Sequence, residues 1–195
     1  MKLVQYWQGP KDDNVEDFSR AWREAYPDLG YKIFDFASAK AFLRGTKIKG
    51  VAEAFEKCKL PAMQSDVFRL AYVYVCGGLY IDCGTRLIKP IARELWPVEN
   101  ELLLLRMDTG RVWNGFLFAQ SEHEALREIV ETVIANILGR HDRFGNPSNN
   151  VLAVSGPVNF QHLRLPPNRK KFNVTLLEEE EYQNAHKLCG VHPRN

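Results

Sequence analysis

Cysteine is scarce in this chain of 195 residues: there are four, none in a CxxC pair and none with histidine at zinc-finger spacing. A disulfide framework and a structural zinc site are therefore not legible, and Cys58, Cys76, Cys83 and Cys189 are expected to be free thiols in a reducing compartment. Charge of one sign is lacking too. The 26 Lys and Arg against 24 Asp and Glu leave a net charge of +2, which gives no footprint for nucleic acid as the main partner. Long apolar runs are absent. LAYVYVCGGLYI is too short to span a bilayer and holds two glycines, so no integral membrane segment is expected. The opening MKLVQYWQGP is too short an apolar run for a signal peptide and has no small-residue cleavage site, so the expected location is cytoplasmic. Neither GxGxxG nor GxxxxGK[ST] occurs, which gives no sign of dinucleotide or P-loop binding, and without GxSxG no hydrolase triad is visible.

What is present is an ordinary globular composition, 45% hydrophobic and 26% charged, with 13 Gly and 10 Pro. A chain of this length buries roughly 70% of its unfolded surface without metal or disulfide staples. Apolar periodicity alternates between strand and helix. Leu3 to Trp7 and YKIFDF (31–36) read as strands, with a helix between them that Asn14 or Asp13 would cap and that carries Val15, Phe18, Trp22 and Tyr26. AKAFLRG and VAEAFEKC read as short helices, and a helix over 63–76 is apolar almost all the way round, hence buried on several sides. LYID returns as a strand, ELLLLRM (101–107) has the continuous apolar run of a strand covered on both faces, and WNGFLFAQ is a further strand. Residues 122–138 form an amphipathic helix, VLAVSGP reads as a strand and turn, and VTLLEEEEY as an edge strand. The alternation predicts an α/β fold with a mostly parallel sheet.

Within the buried helix, Asp66 and Arg69 stand three residues apart on one face. Burying both charges costs several kcal/mol unless other partners exist, so they are either a supported ion pair or the holders of a polar ligand. Gly77 and Gly78 let the backbone approach a ligand or a neighbouring strand. Asp82 follows at the carboxyl end of a strand, where open α/β sheets place ligands; a turn-holding aspartate is the other reading.

Taken together, S-D-x-x-R, an apolar helix, and G-G-x-Y-x-D-x-G resemble the signature of the D-x-D sugar transferases. These are the capsular-polysaccharide and yeast initiating-mannosyltransferase type, and the glucosylating-toxin domains share it. The interval from Asp66 and Arg69 through Gly77, Gly78 and Tyr80 to Asp82 fits without a gap, and LIKP continues it. SRAWREAYPDLGYKIFDF and WNGFLFAQSEHEAL extend the resemblance over most of residues 1–160, with its specific core at 65–90. It implies a single GT-A-type, Rossmann-like domain over 1–195 that handles a nucleoside diphosphate sugar, a UDP-sugar foremost. The sugar would pass, with retention, to a glycan, lipid-linked or protein acceptor, as in polysaccharide biosynthesis. By the same resemblance Asp82, Asp66 and Arg69 are the catalytic candidates, with Trp7, Gly77, Gly78, Tyr80 and Asn114 on the substrate side. Trp7 would stack on the base, or be a core aromatic. Tyr80 would pack beneath the site, and Asn114 would contact the sugar, support the site, or simply turn the chain before a strand.

One departure matters. Gly84 stands where the second acid of the motif binds Mn²⁺ or Mg²⁺, leaving Asp82 as the evident metal anchor. Water in place of the missing ligand, basic side chains on the diphosphate (Arg86, Lys89, Arg106, Arg164 or Arg169-Lys170-Lys171), or a degenerate binding protein are the three readings this leaves open. Cys83 is too soft a ligand to substitute. His186 and His192 in the closing AHKLCGVHPRN are the candidates for the family's terminal histidine, or else surface residues.

Overall fold

The computed structural model describes residues 1–10, 13–146 and 148–184. Strand β1 (Lys2–Tyr6) leads to helix α1 (Asp13–Ala25) and strand β2 (Gly30–Phe34). Helices α2 (Phe36–Arg44), α3 (Val51–Lys57) and α4 (Pro61–Cys76) carry the chain back to β3 (Gly78–Ile81). After the short β4 (Arg86–Leu87) come β5 (Leu102–Arg106), β6 (Val112–Ala119) and α5 (Glu124–Gly139). Helices α6 (Val151–Val154) and α7 (Pro166–Phe172), β7 (Val174–Glu178), α8 (Glu179–Tyr182) and β8 (Gln183–Asn184) complete it.

The main sheet has the order β2-β1-β3-β6-β5-β7, and a second, two-stranded sheet pairs β4 with β8. β1 is parallel to β2 and β3, β5 is parallel to β7, and β6 alone runs antiparallel to its neighbours β3 and β5. Successive strand residues point to opposite faces, so Val4, Tyr80, Leu102 and Leu104 enter the core under α2 to α5. Leu3, Leu79, Leu103 and Leu105 enter a second core with Trp22 and Tyr26. This two-sided burial is why ELLLLRM shows no polar alternation.

Helix α4 starts where Pro61, with no N–H to lose, occupies the first turn, and it ends at Gly77 with φ +63°, whose N–H reaches Val73 O at 2.9 Å. Ten of its residues, Gln64 to Val73, are buried, including the charged pair. The two glycines that follow have packing reasons of their own. A Cβ on Gly77 would stand 2.8 Å from the Ser121 backbone nitrogen, and one on Gly78 (φ +107°) would overlap the Lys2 carbonyl.

Two expectations change. VLAVSGP is no strand: Asn150 Oδ1 accepts from Leu152 N at 3.0 Å and caps a single helical turn, α6, which Ser155 and Gly156 close by donating back to Val151 O. Phe36 leaves the second strand because Asp35 and Ser38 form a capping box that begins α2 there. The edge position of VTLLEEEEY holds for Val174–Glu178, after which the chain turns into α8. Cys58, Cys76 and Cys83 are free thiols, while Cys189, His186 and His192 lie outside the described residues. Among the described residues no helix is long and apolar enough to cross a membrane.

Candidate active site

The carboxyl ends of β1, β2 and β3 face the same way, and Asp82 is the first residue beyond β3. Its N–H donates to Gly115 O at 2.9 Å, and its carbonyl accepts from Thr85 N at 3.1 Å, closing a turn that contains Gly84. The turn is pinned from below, since the Trp22 indole N–H reaches Thr85 O at 2.8 Å.

Arg69 is the hub. Its Nη1 donates to Asn114 O at 2.7 Å and to Asp82 Oδ2 at 3.3 Å, and its Nη2 lies 3.1 Å from Asp82 Oδ1. Nε and Nη2 also reach Ser65, at the carbonyl (3.2 Å) and at Oγ (2.9 Å), and the guanidinium stands 4.8 Å over the Tyr80 ring. Tyr80 OH donates to Asp82 Oδ1 at 2.7 Å and shares a 2.6 Å bond with Ser65 Oγ. Behind Arg69, Asp66 accepts from Asn114 Nδ2 at 2.9 Å and Ser155 Oγ at 2.8 Å, and lies 3.3 Å from Arg69 Nη2. The burial cost that the sequence raised is thus met by protein partners on every side.

The electrostatics follow from this packing. Burial pulls the Asp66 carboxyl upward from its ordinary range, against Arg69, Ser155 and Asn114, which favour the charged form. Burial also opposes the charge on Arg69, but Asp82, Tyr80 and Asp66 outweigh it and hold the guanidinium protonated. The Tyr80 phenol is raised well above its usual value by burial, so it stays a hydrogen-bond donor. Asp82 alone of the network reaches solvent, with 34% of its side chain exposed.

Asp66, Arg69, Tyr80, Asp82 and Asn114 are therefore brought together. Trp7 lies one strand away: Cys83 Sγ sits 3.5 Å from Tyr6 O, the residue before it. The Trp7 indole donates to Pro10 O at 3.1 Å and lines a cleft of about 230 Å³ with Gly9, Ile33, Phe34, Asp35 and Ser38. Trp7 is thus half-buried at a cleft and not in the core. Gly77 and Gly78 are not brought to it. They stand at the other end of β3, about 13 Å (Gly78) and about 16 Å (Gly77) from Asp82 at the strand rise, where their work is to let β3 close on Lys2 and Ser121.

Sequence reasoning missed Ser155, Ser65 as a partner of Arg69, Gly115 and Asp35. Ser65 was visible in S-D-x-x-R, one turn before Arg69. Ser155 lies 89 residues from Asp66 and carried no local signal. Asn114 and Gly115 are aimed by an irregularity: the β5–β6 register passes from Leu103↔Phe118 to Leu105↔Trp113, so β6 holds three extra residues there.

The basic side chains offered as diphosphate clamps are mostly engaged elsewhere. Arg106 pairs with Glu178, Lys89 with Glu181 at 3.6 Å, Lys171 with Glu128 at 3.7 Å, and Arg164 donates to Gly110 O at 3.4 Å. For a divalent cation the described residues offer little. A hard ion takes six or more oxygens, and the one outward carboxylate, Asp82, already accepts from Arg69 and Tyr80. Among the described residues no three His, Cys, Asp or Glu side chains gather into a cage. A Mn²⁺ or Mg²⁺ ion here would draw most of its ligands from diphosphate and water.

The family model described as "Glycosyltransferase sugar-binding region containing DXD motif" matches residues 12–103. The initiation-specific alpha-1,6-mannosyltransferase of Schizosaccharomyces pombe is 27% identical over 182 residues, 80% of this chain and 46% of its own length. Its Saccharomyces cerevisiae counterpart is 27% identical over 108 residues, 51% of this chain and 22% of its own. The chain thus spans less than half the length of either. In fold it is similar to the PaToxG glycosyltransferase (TM-score 0.66, 16% identity, 83% of this chain and 66% of that one). It is similar also to the UDP-bound glycosyltransferase domain of the YGT toxin (TM-score 0.67, 10% identity, 96% and 80%). The architecture is the GT-A type, and residues 12–103 are similar to the sugar-binding region of the DXD-motif sugar transferases.

Proposed function

We propose that the chain is a glycosyltransferase that takes a sugar from a nucleoside diphosphate sugar, a UDP-sugar foremost, and passes it with retention to a glycan, lipid-linked or protein acceptor. The observation that carries this is the buried Asp66–Arg69–Asp82 network, which presents a single outward carboxylate at the strand ends of a fold of the sugar-transferase family. The Trp7 cleft beside it has the aromatic wall a base would stack on. In this reading Asp82 faces the ribose, the diphosphate or its cation, while Asp66, Arg69, Tyr80 and Asn114 hold that carboxylate in place from below. A divalent ion would supply charge to the departing diphosphate and would be weakly held, because Gly84 brings no ligand. The whole chain acts as one domain and works in the cytoplasm.

Isothermal titration of UDP-glucose and GDP-mannose into the protein and into Asp82→Asn tests the reading. A donor that binds the wild type and loses at least about tenfold in affinity on the charge-neutral variant supports it. Folded wild type that binds neither nucleotide sugar nor UDP overturns it. A non-catalytic relative is the second reading, favoured by Gly84 and by the Arg69 and Tyr80 bonds that already occupy Asp82. It would bind donor yet release no sugar to water or acceptor.

A further inference from the structure

Trp113 is the fourth indole of the chain and differs from the other three. The N–H groups of Trp7, Trp22 and Trp96 each donate to a backbone carbonyl, at 3.1, 2.8 and 3.3 Å. The Trp113 N–H has no protein acceptor among the described residues, and it is not among the buried unpaired groups, so it opens to solvent. The side chain is partly buried against the core below the sheet.

Its neighbour across the site is Asp82. A Cβ built on Gly115 would overlap both the indole, at Trp113 Cζ2 and Cε2, and the carboxylate, at Asp82 Oδ2. Cε2 carries the indole nitrogen. Gly115 is therefore the clearance that lets the N–H edge of the indole and the exposed carboxylate border the same small volume. The register shift in β6 delivers this pair, because it comes where Trp113 and Asn114 pass the end of β3. A carboxylate that accepts, a free N–H that donates and an aromatic edge beside them are what a ring of hydroxyls needs for recognition.

We propose that Trp113 binds the hexosyl group of the donor, its N–H donating to a sugar hydroxyl beside Asp82, and so sets the affinity gained from the sugar beyond the nucleotide. This rests on the reading of the site as a nucleotide-sugar site. It goes beyond it in naming a residue that contributes to sugar affinity and not to nucleotide affinity.

The test compares bare nucleotide with nucleotide sugar. Titrations of UDP and UDP-glucose, and of GDP and GDP-mannose, are run on wild type, Trp113→Phe and Trp113→Ala, with melting curves to confirm folding. The expected result is nucleotide affinity unchanged within about twofold, and nucleotide-sugar affinity lowered about fivefold in Trp113→Phe and at least about tenfold in Trp113→Ala. Trp113→Phe keeps the apolar bulk, so a loss there reports the N–H and not collapse of the wall. The proposal is overturned if the variants hold the sugar as the wild type does, if nucleotide and nucleotide sugar weaken together, or if the wild type gains nothing from the sugar. A wild type that binds no nucleotide at all overturns the reading of the site itself, an outcome the bare-nucleotide arm separates from the others.

Discussion

Arg69 and Asp82, thirteen residues apart and on different elements, meet through two contacts, Nη2 to Oδ1 at 3.1 Å and Nη1 to Oδ2 at 3.3 Å. The same guanidinium holds Asp66 and the Asn114 carbonyl. Removing it strands a buried carboxylate. Arg69→Ala should lower unfolding stability by about 3–5 kcal/mol, with Asp66→Asn in the same chain recovering part of that loss. Urea denaturation of the single and double variants checks both statements.

Ser155 supplies one of the two side-chain hydrogen bonds that hold the buried Asp66 carboxylate. Ser155→Ala leaves one oxygen without its donor in a dry site, at a cost of about 1–3 kcal/mol. Ser155→Thr keeps the hydroxyl and should recover most of it if the extra methyl fits. Equal losses in the two variants would mean that packing, not the hydrogen bond, sets the cost.

Gly78 tests the division between glycines that close the sheet and groups that face a ligand. With φ +107° and Lys2 O in the path of any Cβ, Gly78→Ala should cost at least about 1–3 kcal/mol. Nucleotide-sugar affinity of the protein that remains folded should be unchanged, as calorimetry at low temperature would record.

Burial holds His123 below the ordinary histidine value of 6.5, and burial aided by Arg143 does the same for His162. Below that pH the unfolded chain takes up protons that the folded one refuses. Stability is therefore complete above about pH 6.5 and falls as the pH drops through the folded values. His123 also caps α5 through Nδ1, which accepts from Ala125 N at 3.2 Å. His123→Asn keeps a capping side chain and should flatten the decline below about pH 6.5, as denaturation midpoints would show.

Much of this site was legible because its elements are local. A helix that puts Asp66 and Arg69 on one face, a glycine stop and a short strand ending at Asp82 are all written within seventeen residues, 66–82, and sequence spacing fixes their geometry. Ser155 was not legible, since its partner is 89 residues away and the apolar run VLAV looks like strand until Asn150 is seen to cap it. Gly115 and Trp113 depend on a register shift between β5 and β6, a relation between strands that neither strand encodes alone. The glycine pair shows the converse. Positive φ was demanded, but by Lys2 and Ser121 instead of a ligand, and one sequence cannot distinguish those two demands.

The central claim is that this network binds a nucleoside diphosphate sugar with Asp82 as its acidic contact among the described residues, Gly84 standing where a second acid would be. The most direct measurement is the affinity for UDP-glucose and GDP-mannose with and without Mn²⁺, on wild type and Gly84→Asp. The account predicts binding by the wild type that Mn²⁺ strengthens only weakly, and a metal effect larger by at least about tenfold once the acid is restored. Equal, strong dependence on Mn²⁺ in both proteins, or no binding by either while both are folded, would contradict it.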